Sequence, residues 1–223
     1  MRLLGLEMSS AGGSVALSTG EQIFERQIET PREQTERVLE MTAELLEEAG
    51  LALGELDGIA FGRGPGSFTG LRVAAAIAQG FALSSAVPLL PVSSLVALAQ
   101  GAWRTERVGN SLICIDARMG EVYWGEFAVV DGLAVHERDD QLSLPSALSP
   151  PAAKRWTAIG GGFDVYADQL APLLAGADRV LLELQPAAQD LFPKAVQDLA
   201  AGRITPIAQA LPVYLREQTA WRR

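Results

Sequence analysis

Among 223 residues the chain has one cysteine, Cys114, and one histidine, His136. A single thiol excludes a disulfide framework within the chain and suits a reducing compartment. One histidine leaves almost no material for a zinc site of several His and Cys ligands, or for Ser-His and Cys-His catalysis. Cys114 lies in the apolar run LICI and reads as a buried strand residue. His136, in LAVHERDD, reads as the end of an exposed strand and is assigned no role. Long hydrophobic runs are also missing. VAAAIA and VPLLPV fall far short of the ~18–20 residues that a membrane span needs. MRLLGLEMSS enters a strand directly, so the expectation is a mature cytoplasmic protein with no membrane contact. Lysine is scarce: Lys154 and Lys194 are the only two among 18 basic residues, which face 27 acidic ones for a net charge of −9. Phosphate neutralisation dominates nucleic-acid affinity, and no basic stripe is present to supply it. Any role on nucleic acid has to be shared with a more basic partner.

The composition is 48% hydrophobic, enough for one large or two small cores. LLGLE (3–7) is an apolar run ending in an acid. SVALST (14–19) and QIFERQI (22–28) flank a Gly20-Glu21 turn and predict a hairpin. From 31 to 49 the spacing becomes helical, with Val38, Met41, Thr42, Leu45, Leu46 and Ala49 on one stripe. Thr30, Pro31 and Glu33 give it a capping-box start, and Gly50 a stop. GIAFGRG (58–64) predicts a buried strand, followed by a helix from about Gly70 to Ser84. A short strand between Pro88 and Pro91 and a helix from SSLVALAQGAW come next. The pattern then restarts. SLICID (111–116) again ends in an acid, and EVYWGEFAVV (121–130) and LAVHER (133–138) flank an Asp131-Gly132 turn. WTAIGGG, a helix over 163–174, VLLEL and a helix near 187–201 complete it. The repeat suggests two related α/β lobes. The expected division is 1–106 and 107–223, with the last ~20 residues packing back on the first lobe.

FGRGPGSFTGLRVAAAIAQG (61–80) raises the question of a phosphate cradle. It lacks the Lys-Ser or Lys-Thr of a P-loop, and neither Gly62 nor Gly64 starts a GxGxxG fingerprint. What remains is a helix start with Ser67, Thr69 and Gly70, which is a candidate anion contact or a sharp turn with a capped helix. Behind it, Gly70, Ala74 and Ala78 recur at i, i+4 and i+8 and make a nearly flat face. A flat face lets another helix come close. Val73, Ile77 and Phe81 extend its apolar character. Pairing with the 31–49 helix follows economically, and two such helices on one surface suit a four-helix bundle with a partner. Glu7 and Asp116, the two strand-end acids, offer an alternative: an ATP-binding protein holding Mg²⁺-nucleotide between duplicated lobes. Ordinary turn acids are the competing reading of both.

FGRGPGSFTGLRVAAAIAQGFAL, VPLLPVSSL, IDARMGEVYW and PVYLR, in that order, resemble the bacterial TsaB family of the tRNA threonylcarbamoyladenosine system. The resemblance spans nearly the whole chain. It implies two related lobes of the actin-like/Hsp70-like ATPase (ribonuclease-H-like) superfamily, with mixed sheets flanked by helices. It also implies a non-catalytic subunit that pairs with the paralogous TsaD, joined by the ATPase TsaE. Together these transfer a threonylcarbamoyl group to N6 of adenosine 37 in tRNAs reading ANN codons. On that reading the chain has no catalytic residues, metal or cofactor of its own, ATP and Mg²⁺ sit on partner subunits, and tRNA is met only within the complex. The isolated chain is expected to form a homodimer. The interface it shares with TsaD is expected to use Arg32, Val38, Met41, Leu45, Gly70, Val73, Ala74, Ile77, Ala78 and Phe81. TsaD carries its metal in the pattern PVNHxxxH. Here Pro91-Val92-Ser93-Ser94-Leu95-Val96-Ala97-Leu98 puts Ser94 and Leu98 in place of the histidines, which argues against a metal-dependent peptidase or transferase centre.

Overall fold

Short apolar runs separated by turn residues become β1 (Leu3–Glu7), β2 (Gly13–Ser18) and β3 (Ile23–Ile28) in the computed structural model, which describes residues 1–29 and 34–216. Then follow α1 (Gln34–Ala49), β4 (Gly58–Gly62), α2 (Phe68–Ser85), β5 (Leu89–Val92) and α3 (Ser94–Glu106). The expected capping residues Thr30, Pro31 and Glu33, and the candidate Arg32, lie outside the described residues. α2 starts two residues earlier than the spacing predicts because Ser67 is its N-cap and accepts from the Gly70 amide at 3.4 Å. β1 runs antiparallel to β2 and parallel to β4, giving the sheet order β3-β2-β1-β4-β5.

The second half repeats that plan with β6 (Asn110–Arg118), β7 (Glu121–Val130), β8 (Leu133–Ser143), β9 (Thr157–Ile159), α4 (Gly162–Val165), α5 (Ala167–Leu174) and β10 (Arg179–Leu181). Its order, β8-β7-β6-β9-β10, has the same directions: three antiparallel strands, then two parallel additions. Asp131 and Gly132, both at positive φ (52° and 81°), make the tight β7–β8 turn. The single helix predicted over 163–174 is broken at Tyr166 into α4 and α5. Two mixed sheets of identical strand order, flanked by helices, are the fold of the actin-like/Hsp70-like superfamily.

Two compact units result. One comprises Met1–Ala97 with Pro186–Pro212, and the other Leu98–Gln185 with the chain from Val213. The division therefore falls inside α3 rather than at 106. The final helix, α6 (Phe192–Ala200), belongs to the first unit and not to the second half that its place in the sequence suggests. The reason is local. The Ala188 amide donates to buried Ser14 Oγ at 2.7 Å. Gly5 in β1 leaves room for the Ala188 carbonyl, which a Cβ there would meet at 2.8 Å, and for the Phe192 ring at 3.0 Å. The turn at 188–191 and α6 thus cover one face of the first sheet. Leu4, Leu6, Val15, Leu17, Ile59 and Phe61 pack on the other face with Val38, Met41 and Leu45 of α1 and Ala74, Ala78 and Ala82 of α2. The second unit closes around Leu112, Cys114, Val122, Trp124, Trp156, Phe163 and Leu170.

Gly5→Ala is expected to destabilise the chain by about 1–3 kcal/mol through overpacking, with faster amide exchange over 186–200. Urea unfolding and hydrogen exchange measure both. An unchanged midpoint would show that the 188–192 segment does not press on β1.

Candidate functional site

Glu7 ends the central strand with no solvent exposure. Its Oε1 accepts from the Ser9 amide at 2.7 Å and its Oε2 from Ser94 Oγ at 2.9 Å. Gly62, at the end of the neighbouring β4, is what leaves space for the carboxyl: a Cβ there would stand 2.1 Å from Oε2. Ser94 is fixed in turn, because it opens α3, where Ser93 Oγ accepts from the Leu95 and Val96 amides at 3.1 and 3.3 Å. Burial raises the Glu7 pKa above its ordinary 4.5, against the hydrogen bonds from Ser9 and Ser94, which lower it. The acid is directed into the protein's own interior, with each oxygen bonded to its own chain. Ser94 acts here as a donor to Glu7, and Leu98 is buried hydrocarbon.

The glycine-rich loop is filled from within the same unit. The Ser67 amide donates to the Ser9 carbonyl at 2.7 Å, and the Gly70 amide turns to Ser67 Oγ. Two donors that an anion at this helix start would use are therefore engaged. Ser9 links the loop to Glu7, while Thr69 stands exposed at the surface.

In the second unit Asp116 repeats the local geometry of Glu7, accepting from the amide two residues on, Arg118, at 2.8 Å. Its carboxylate also accepts from the Tyr166 hydroxyl at 3.0 Å and pairs with Arg118 Nη1 at 3.2 Å. Its side chain is 16% exposed. Burial, and the carboxylate to which it donates, raise the Tyr166 pKa. Arg216 donates to the Ala117 and Arg118 carbonyls at 3.0 and 3.2 Å and pairs with Glu121 at 2.7 Å, which ties PVYLR to DARMGEVYW. Burial, then the charge of Asp116, pushes the Cys114 thiol up to about 12, so it is not a nucleophile. His136 pairs with Asp140 at 3.0 Å and packs on Phe127. Among the described residues no three His, Cys, Asp or Glu side chains gather as a metal site. No described helix is long and apolar enough to cross a membrane.

The helix face needs a correction. Gly70, Ala74 and Ala78, expected to meet a partner, are buried, as are Val38, Met41 and Leu45. The small-residue stripe lies against the chain's own sheet and α1, where close approach is needed just as much. Val73, Ile77 and Phe81 are half-buried at the margin. The exposed face of α2 consists instead of Thr69, Arg72, Ala76, Gly80 and Leu83, with Leu83 78% exposed. At its start, the Arg72 guanidinium lies 3.6 Å from the Phe68 ring centroid. Sequence periodicity missed this face because α2 is small or apolar nearly all round. Arg72, amid that run, was the one signal of its outward side.

Fold and site together define a duplicated protein of the actin-like superfamily whose strand-end acids are bonded within their own units. The family model for TsaD, tRNA N6-adenosine threonylcarbamoyltransferase, matches residues 23–170. The tRNA threonylcarbamoyladenosine biosynthesis protein TsaB of Escherichia coli is 38% identical over the whole chain and 98% of its own length. That of Haemophilus influenzae is 33% identical over the whole chain and 97% of its length. The solved structure of YeaZ from Pseudomonas aeruginosa superposes with a TM-score of 0.88 at 36% identity, covering 96% of this chain and 99% of that one. The chain belongs to the TsaB family.

Two outcomes are expected at the acids. Between the unfolded and the raised folded pKa of Glu7, the folded chain holds a proton that the unfolded chain has released. Stability contributed by this group therefore falls as pH rises from 4.5, by at most about 1.4 kcal/mol per pH unit, and is flat below it. In urea unfolding, the stability of the parent chain minus that of Glu7→Gln should decline with rising pH. A difference constant with pH contradicts the raised pKa. Calorimetry of the isolated chain with millimolar Mg²⁺-ATP should give no heat of binding, and a saturable isotherm would restore the nucleotide reading.

Proposed function

We propose that the chain is a subunit of tRNA threonylcarbamoyladenosine biosynthesis without a catalytic centre of its own. It binds TsaD through the outer face of α2 and works with TsaE in the cytoplasm. The group transferred is threonylcarbamoyl, the acceptor is N6 of adenosine 37 in tRNAs reading ANN codons, and ATP and Mg²⁺ belong to the partner subunits. Full-length similarity to two TsaB proteins carries this reading. The site chemistry supports it. Glu7 is consumed by internal bonds, Ser94 and Leu98 occupy the positions of the TsaD histidines, and the thiol is inert. A net charge of −9 favours reaching tRNA through a partner. In isolation two copies pair through the same face, more weakly than the chain pairs with TsaD.

The buried stripe directs the choice of variant. Arginine at Ala74 or Ala78 would place a charge inside the chain's own core and test folding, not association. Arginine at exposed Ala76 tests the face itself. Ala76→Arg is expected to leave the unfolding midpoint unchanged and to weaken binding of purified TsaD at least about tenfold, the scale of a lost interface hot spot. Cells relying on it should lose threonylcarbamoyladenosine, read by nucleoside mass spectrometry. Full binding and full modification would remove α2 from the interface.

A further inference from the structure

After α6 the chain returns along the first unit as a strap, residues 203–211. It is pinned at three places. The Thr205 amide donates to the Leu89 carbonyl on β5 at 3.0 Å. The side-chain amide of Gln79, on α2, donates to the Ile207 carbonyl at 3.0 Å and the Ala210 carbonyl at 3.1 Å. Ala210 is fully buried in the cluster that holds Leu45 and Ala82. Gln79 has two side-chain N–H donors, and strap carbonyls accept from both. Between and beyond these pins Ile207 and Leu211 face outward, Leu211 being 58% exposed. Leu83 lies one turn beyond Gln79 on the same flank of α2. The strap thus continues the exposed face of α2, with Leu83, Ile207 and Leu211 along it.

We propose that this strap completes the partner-binding face, with Gln79 as the positioning residue that holds it there, and that its occupant is the paralogous transferase subunit. The proposal rests on the subunit reading above. Aliphatic side chains held outward on an ordered backbone contribute nothing in the free chain; they contribute when a partner removes them from water. Charge selects between partners. α1, which touches α2, exposes Glu36, Glu40, Glu44, Glu47 and Glu48; Arg37 pairs with Glu40 and Arg26 of β3 with Glu48, which leaves this side acidic. A symmetric contact sets the same patch of two copies face to face and brings acid towards acid. A subunit with an apolar centre and a basic rim fits better.

The test measures TsaD binding by titration calorimetry and self-association by sedimentation, using the full chain and the variants Leu211→Asp, Gln79→Leu and Leu83→Arg. Leu211→Asp is expected to weaken TsaD binding about tenfold with an unchanged unfolding midpoint. Gln79→Leu should speed amide exchange over 205–211 and weaken TsaD binding several-fold, with the midpoint again unchanged. If Leu83→Arg abolishes binding while Leu211→Asp and Gln79→Leu bind normally, the strap is no part of the interface and the subunit reading stands. If all three bind normally, that reading fails as well. Weakened self-association with normal TsaD binding would make a second copy the occupant and overturn the choice of partner.

Discussion

A carboxyl group removed from water must find its hydrogen bonds within the protein, and Glu7 is such a group at the end of a fully buried strand. Satisfying it commits three pieces of chain that are remote in sequence. The 8–10 turn must present the Ser9 amide, β4 must end in a residue without a side chain, and α3 must open with a hydroxyl directed backwards. Through Ser9 the same constraint reaches the glycine-rich loop and the start of α2. The orientation of α2, and hence which side of it is free, follows from how that loop is filled.

The duplicated unit shows what is intrinsic to the plan and what is not. In both sheets the first strand ends in an acid that accepts the amide two residues on, a local bond that any strand-to-turn transition can use. Beyond that bond the copies part. Glu7 is sealed in by a serine and a glycine, whereas Asp116 keeps some contact with water, an arginine and a tyrosine. The shared plan therefore fixes the local bond and leaves the rest of the acid's surroundings to each copy.

The sheets were legible because strand alternation and tight turns are local: Gly20-Glu21 and Asp131-Gly132 mark both hairpins, and the two acid-ended runs reveal the repeat. The return of the residues after α6 to the first unit was expected, but that of α6 itself was not. It depends on a missing side chain at Gly5 and a hydroxyl at Ser14, contacts with no periodic trace. At the candidate site the small-residue stripe was legible and what it packs against was not. Glycine and alanine at i, i+4 and i+8 say that something approaches closely, but a sheet of the same chain meets that description as well as a partner helix does. Glu7 was equally ambiguous, since an acid after a strand serves a turn or a metal until its neighbours are known. Arg216 closed the PVYLR segment with no sign in the sequence that it would grip the 117–121 turn.

Cys114 bears on how this chain can be studied. Its thiol is the protein's only one, is buried, and is held almost wholly protonated at neutral pH. To thiol-directed reagents the folded chain therefore behaves as a cysteine-free background. A single cysteine introduced on an exposed helix position becomes a unique attachment point for a fluorophore or spin label, with no native residue to remove first.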